Sequence, residues 1–110
     1  PTPIVYGNRL YVLYDKGFFA AFDTQTGEQF YKRERLPQVA NFTASPWAYR
    51  DRIFCLAESG ETFVIEASDQ LKVLSINPPL DESLFMATPA IAGDTLLIRG
   101  SKHLYAIRQE

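Results

Sequence analysis

Prolines stand at positions 3, 46 and 89, each preceded by Thr or Ser, so the chain repeats with a period of 43 residues. The copies begin Thr2-Pro3-Ile4-Val5, Ser45-Pro46-Trp47-Ala48 and Thr88-Pro89-Ala90-Ile91. A fixed period of this size means one supersecondary unit stacked on itself, because so short a unit cannot bury its apolar side alone. The repeat units run approximately 1–43, 44–86 and 87–110, within a single domain.

Each unit follows the same plan. A polar turn leads into a short apolar run: Gly7-Asn8-Arg9 into Leu10 to Tyr14, Arg50-Asp51-Arg52 into Ile53 to Ala57, and Gly93-Asp94-Thr95 into Leu96 to Ile98. A second turn, at Asp15-Lys16-Gly17, Glu58-Ser59-Gly60 and Gly100-Ser101-Lys102, leads into Phe18 to Phe22, Thr62 to Ile65 and Leu104 to Ile107. A third turn follows in the first two units only, giving Glu28 to Lys32 and Leu71 to Ile76. With Thr88 to Ala92 opening the third unit, the plan predicts eleven strands. The segments are aromatic or β-branched and bounded by Gly, Asn, Asp or Pro, which is strand chemistry. Only Asp81 to Met86 could make a helical turn, as a connector.

The runs are almost continuously apolar, as in Leu10-Tyr11-Val12-Leu13 and Phe63-Val64-Ile65, so both faces of each sheet must be covered. That pattern disfavours a two-sheet sandwich. Four short strands per unit at this period define an all-β fold, a β-propeller fragment of about three blades. The blades are four-stranded antiparallel sheets, the last lacking its outer strand. Proline at the start of each first strand fits, since that position need not donate to the ladder.

Composition narrows the partners. Eleven basic residues against thirteen acidic ones give a net charge of −2 and a pI near 5.4, which argues against nucleic acid or anionic lipid. The longest apolar runs are five residues, far short of the roughly 20 that a membrane-spanning helix needs, so membrane insertion is not expected. One Cys and one His exclude an internal disulfide and make a metal site improbable.

The stretch Ala21-Phe22-Asp23-Thr24-Gln25-Thr26-Gly27-Glu28-Gln29-Phe30-Tyr31 resembles the tryptophan-docking repeat of the pyrroloquinoline-quinone-repeat, or quinoprotein-like, β-propeller superfamily, with Tyr31 in place of the usual Trp. Asp23 can accept N–H bonds within a turn, Gly27 can take a positive φ, and an aromatic residue at position 31 can lie against the next blade. Asp23, Thr26, Gly27 and Tyr31 are therefore expected to build the blade and to take no part in chemistry. The second unit departs from the pattern at Glu66-Ala67-Ser68-Asp69-Gln70. The family spans calcium- and quinone-dependent dehydrogenases and cofactor-free members such as the propeller lipoprotein of the outer-membrane barrel-assembly machinery. The resemblance suggests a periplasmic or extracytoplasmic setting, on which the residues themselves are silent.

No residue stands out as catalytic, cofactor-binding or metal-binding. His103 reads as a turn histidine beside Lys102, and Cys55 in Ile53-Phe54-Cys55-Leu56 as a buried, inert thiol. Asn41-Phe42-Thr43 matches a glycosylation sequon, discounted for a bacterial chain. Trp47 is expected to pack toward the channel or the neighbouring blade, and Lys32-Arg33-Glu34-Arg35 to form a solvated strand edge. The quinone dehydrogenases of the family often carry vicinal cysteines against the cofactor, and this chain has no Cys-Cys pair. The expected role is that of a non-catalytic protein-binding or scaffolding segment without cofactor, whose partner is a protein or the remaining blades of a parent propeller. The alternative is a fragment of a quinone-dependent alcohol or sugar dehydrogenase. The connectors Asp15-Lys16, Glu58-Ser59, Arg35 to Asn41 and Asn77 to Phe85 share one face of the disc, the first place to look for binding.

Overall fold

The computed structural model describes residues 1–109. Eleven strands form three antiparallel sheets. The first sheet holds β1 (Ile4–Tyr6), β2 (Arg9–Leu13), β3 (Phe18–Asp23) and β4 (Gln29–Arg35) in chain order. The second holds β5 (Trp47–Tyr49), β6 (Arg52–Leu56), β7 (Thr62–Glu66) and β8 (Val73–Asn77). The third holds β9 (Ala90–Ala92), β10 (Thr95–Arg99) and β11 (Leu104–Arg108). The sheets stand side by side in an unclosed arc, a partial β-propeller of about three blades, with β1 against β5 as the nearest strands of the first two blades.

The continuous apolar runs have a simple cause. On β6, Ile53 and Cys55 point toward the first blade and join a core with Tyr11, Leu13, Phe19 and Ala21. The alternate residues Phe54 and Leu56 point the other way and meet Ile98, Leu96 and Tyr105 of the third blade. Side chains alternate across a strand, so a blade with neighbours on both sides must be apolar at every position. Burying each such Leu, Ile or Phe side chain contributes about 1.5–3 kcal/mol.

The link between the first two strands of each blade is a two-residue turn. Gly7 and Gly93 take positive φ there, at 62° and 64°. The second blade has no glycine at this point, and Arg50 and Asp51 both adopt left-handed φ, 49° and 62°. That geometry costs an L-residue roughly 1–2 kcal/mol, and the first blade offsets it. The Tyr6 hydroxyl donates to Asp51 Oδ1 at 3.1 Å and accepts the Asp51 backbone N–H at 2.9 Å. A second tie between the blades is the Arg9–Asp69 ion pair, at 2.6 Å.

Several strand limits differ from those read in the sequence. β4 continues to Arg35 because the guanidinium groups of Arg33 and Arg35 lie over the Phe18 ring, at 5.1 and 4.4 Å from its centroid. The Lys32–Arg35 cluster thus covers aromatic surface as well as facing water. β8 starts at Val73 where Leu71 was expected, next to a register shift between Val64 and Ile65. β9 starts at Ala90, two residues inside the expected Thr88. Asp81 to Met86 makes no helical turn. Asp81 instead closes an Asx turn by accepting the Ser83 N–H at 2.6 Å.

Candidate functional site

The turn between β3 and β4 assembles around Asp23. Its Oδ1 accepts the backbone N–H groups of Gln25 and Thr26, at 2.8 and 3.2 Å, and its carbonyl accepts that of Gly27 at 2.9 Å. The Thr26 hydroxyl accepts the Glu28 N–H at 3.2 Å. Gly27 has φ +76°, and a β-carbon there would meet nothing within 4 Å, so glycine is needed for backbone geometry alone. Tyr31 pairs with Ala21 across the strands and stacks on Phe19, centroids 6.4 Å apart, against the core shared with the second blade. The hydroxyls of Tyr31 and Tyr11 are buried with no protein partner, and burial raises the pKa of both.

The connectors between blades are pinned by hydrogen bonds that recur every 43 residues. The Phe42 N–H donates to the Asp15 carbonyl at 2.8 Å, and the Phe85 N–H to that of Glu58 at 2.9 Å. In return the Glu58 N–H donates to the Asn41 carbonyl, and the Ser101 N–H to that of Leu84. The rings of Phe42 and Phe85 are fully buried beneath these bonds. Gly60 is forced by the same approach: it has φ +101°, and a β-carbon would sit 2.6 Å from Pro79 Cβ and 3.0 Å from the Phe85 ring.

On either side of these pinned segments the connectors hold apolar side chains in solvent. Val39 is 88% exposed on the first connector, and Leu80, Leu84 and Met86 are 45%, 52% and 44% exposed on the second. Leu84 and Met86 border a shallow depression of about 230 Å³ with Arg99 and Ser101. Beside it, Asp81 accepts the Ser83 and Tyr105 hydroxyls, and His103 Nδ1 lies 3.7 Å from its carboxylate. These bonds, the Ser83 hydroxyl first, lower the Asp81 pKa to about 2. Ser83, Asp81 and His103 do not form a nucleophile relay, because the serine hydroxyl bonds the carboxylate directly and not the imidazole.

His103 is exposed and tilted against Tyr105. Cys55 is fully buried, and burial raises its pKa, so its thiolate is not available as a nucleophile. Trp47 stacks on Phe54, centroids 5.3 Å apart, in the core between the second and third blades. In the sequon, the Thr43 hydroxyl donates to the Glu58 carboxylate. No group of three or more His, Cys, Asp or Glu side chains among the described residues could hold a metal ion, and no helix among them is long and apolar enough to cross a membrane. Sequence reasoning located the connector face but not its four exposed apolar residues. The available signal was apolar residues stranded in segments otherwise rich in proline and polar groups, such as Pro37-Gln38-Val39 and Pro79-Leu80-Asp81.

No protein-family model and no curated protein matches the sequence. Solved structures do match. BamB from Moraxella catarrhalis superposes on 96% of this chain with a TM-score of 0.73 at 12% identity. A europium-containing methanol dehydrogenase superposes on the same share, with a TM-score of 0.68 at 16% identity. The chain spans 32% of the first protein's length and 22% of the second's. The arc of blades therefore has the quinoprotein-like β-propeller fold. Within that fold it is similar both to BamB and to a methanol dehydrogenase, and at such identities the likeness defines the fold alone.

Proposed function

We propose that this chain is a non-catalytic segment of a quinoprotein-like propeller that binds a protein partner through its connector face, as a scaffold. The observation that carries this reading is the set of four large apolar side chains, Val39, Leu80, Leu84 and Met86, exposed on connectors that are hydrogen-bonded to the neighbouring turns at Asn41-Phe42 and Leu84-Phe85. Exposed apolar groups on a fixed frame are what a protein interface requires, because little ordering entropy is lost on docking. The net charge of −2 is consistent with a protein partner over nucleic acid. We take the repeat units as 1–43, 44–86 and 87–110 of one domain, with Asp23, Thr26, Gly27 and Tyr31 as blade-building residues.

The test compares the native chain with a double variant, Val39→Asp and Leu84→Asp, in quantitative binding to proteins of the source cell. The reading expects a stoichiometric partner whose affinity falls at least tenfold in the variant and is unchanged by Asn8→Asp at the opposite end of the blades. Saturable binding of pyrroloquinoline quinone, with no partner sensitive to the connector variants, would replace it with the dehydrogenase-fragment reading.

A further inference from the structure

The two seams between blades are tied alike at one end and differently at the other. At the connector end the Thr2 N–H donates to Ser45 Oγ and the Ser45 N–H to Thr88 Oγ1, both at 2.8 Å. At the hairpin-turn end the first seam is closed by Tyr6, whose hydroxyl bonds both the carboxylate and the N–H of Asp51. The residues 43 positions on are again a tyrosine and an aspartate, Tyr49 and Asp94. No hydrogen bond joins these two among the described residues, and Asp94 Oδ1 instead accepts the hydroxyl of its neighbour Thr95 at 3.3 Å. Tyr49 stands half-exposed, with the Arg50 guanidinium 5.2 Å from its ring centroid.

Side chains set this difference. The strands at the inner end of the second seam, β5, β6, β9 and β10, have the same sheet neighbours as their counterparts β1, β2, β5 and β6. Trp47 stands where Ile4 does one blade earlier, Phe54 where Tyr11 does, and Ile91 where Ala48 does. The Trp47 and Phe54 rings, stacked at 5.3 Å, and the larger Ile91 prop the inner strands, so β9 stands farther from β5 than β5 does from β1. Arg50, in the place of Gly7, holds the Tyr49 ring on its own blade. The result is a pocket of about 200 Å³, walled by Trp47, Phe54, Ile91 and Leu96, with Tyr49 and Asp94 also lining it. Ile107, paired with Leu96, lines it from the third blade's next strand.

We infer that this pocket is a binding site for a small monocyclic phenol, its ring among Trp47, Phe54, Ile91 and Leu96 and its hydroxyl on Asp94. The first seam shows the recognition in covalent form: the Tyr6 side chain is itself a phenol, which donates to a carboxylate oxygen and accepts the N–H of the same residue. Asp94 offers the same two groups, and its N–H has no protein partner among the described residues. An apolar cavity of about 150 Å³ holds benzene, so a pocket of about 200 Å³ takes one ring with a hydroxyl and a short substituent. Apolar walls supply affinity and the Asp94 pair of groups supplies orientation. The site is at the opposite end of the blades from the connector face and does not depend on the binding role proposed for that face.

4-Methylphenol serves as the probe in two-dimensional NMR, and the indole N–H signal of Trp47, the sole tryptophan, as the reporter. The expected result is a saturable shift of that signal and of the Gly93, Asp94 and Thr95 amides. Toluene, with the same ring and methyl group but no hydroxyl, should bind at least tenfold more weakly. Asp94→Ala should weaken 4-methylphenol binding at least tenfold and keep the native melting temperature, because among the described residues the Asp94 side chain bonds only its neighbour Thr95. Tyr49→Phe, and Val39→Asp with Leu84→Asp, should bind the probe as the native chain does. No saturable shift, an equal response to toluene, or undiminished binding to Asp94→Ala overturns the inference. Binding that appears in Tyr49→Phe alone also overturns it and makes the Tyr49 hydroxyl the occupant of Asp94.

Discussion

The backbone N–H of Ser45 donates to Oγ1 of Thr88 at 2.8 Å, across the boundary between the second and third blades. The N–H of Thr2 donates to Oγ of Ser45 at the same distance, one blade earlier. The hydroxyl that makes the Ser/Thr-Pro motif recur is thus the acceptor for the preceding blade, while the following proline has no N–H to satisfy. Thr88→Val, which keeps the shape and removes the acceptor, should lower stability by about 1 kcal/mol in chemical denaturation. Ser45→Ala should cost a similar amount, by releasing Thr2.

Gly27 and Gly60, both of positive φ, separate backbone from packing. Gly27→Val should cost about 1–2 kcal/mol, and Gly27→Asn less, because only the left-handed backbone is at issue there. Gly60→Ala adds a clash with Pro79 and Phe85 to the same backbone penalty, so a cost of about 3 kcal/mol is expected. Equilibrium unfolding of the three variants gives the order directly.

Tyr31 carries a buried hydroxyl without a protein partner. Removing it in Tyr31→Phe should leave stability unchanged within about 0.5 kcal/mol or raise it, since no hydrogen bond is lost. Tyr31→Ala removes the ring that stacks on Phe19 and should cost about 3 kcal/mol. A large loss in the Phe variant would show that the hydroxyl is bonded in solution.

Most of the architecture was legible because the 43-residue period marks every blade start, and the period-free apolar runs announce sheets covered on both sides. What escaped depends on contacts across blades. The extension of β4 to Arg35 is set by the rings of Tyr14 and Phe18, which lie well before it in the chain. The Arg9–Asp69 pair joins residues 60 apart, and no local pattern signals it. The same holds for Asp81, whose partner Tyr105 comes from the next blade. The exposed apolar residues of the connectors were missed for the opposite reason, since an apolar residue in a loop reads as buried until the backbone around it is seen.

Asp81 makes a pH prediction with a definite sign. Its folded pKa lies near 2, below the ordinary value of 3.8. The ionised carboxylate therefore stabilises the fold fully above about pH 4, and that contribution is lost as pH falls toward 2. Asp81→Asn should lower stability most above about pH 4, where the carboxylate is ionised, and flatten the acid limb so that the two profiles converge toward pH 2. An identical acid limb in the variant would place the effect on other carboxylates.

Amide hydrogen exchange of the connectors tests most directly the claim that the blades present a fixed apolar face. The N–H groups of Phe42 and Phe85 bond the neighbouring turns and those of Glu58 and Ser101 bond the connectors in return, so all four should exchange as slowly as the amides of the central strands β2 and β6, while Val39 and Leu80 exchange fast. Fast exchange at Phe42 and Phe85, with slow exchange kept in β2 and β6, would mean that the connectors are loose and the face has no fixed shape.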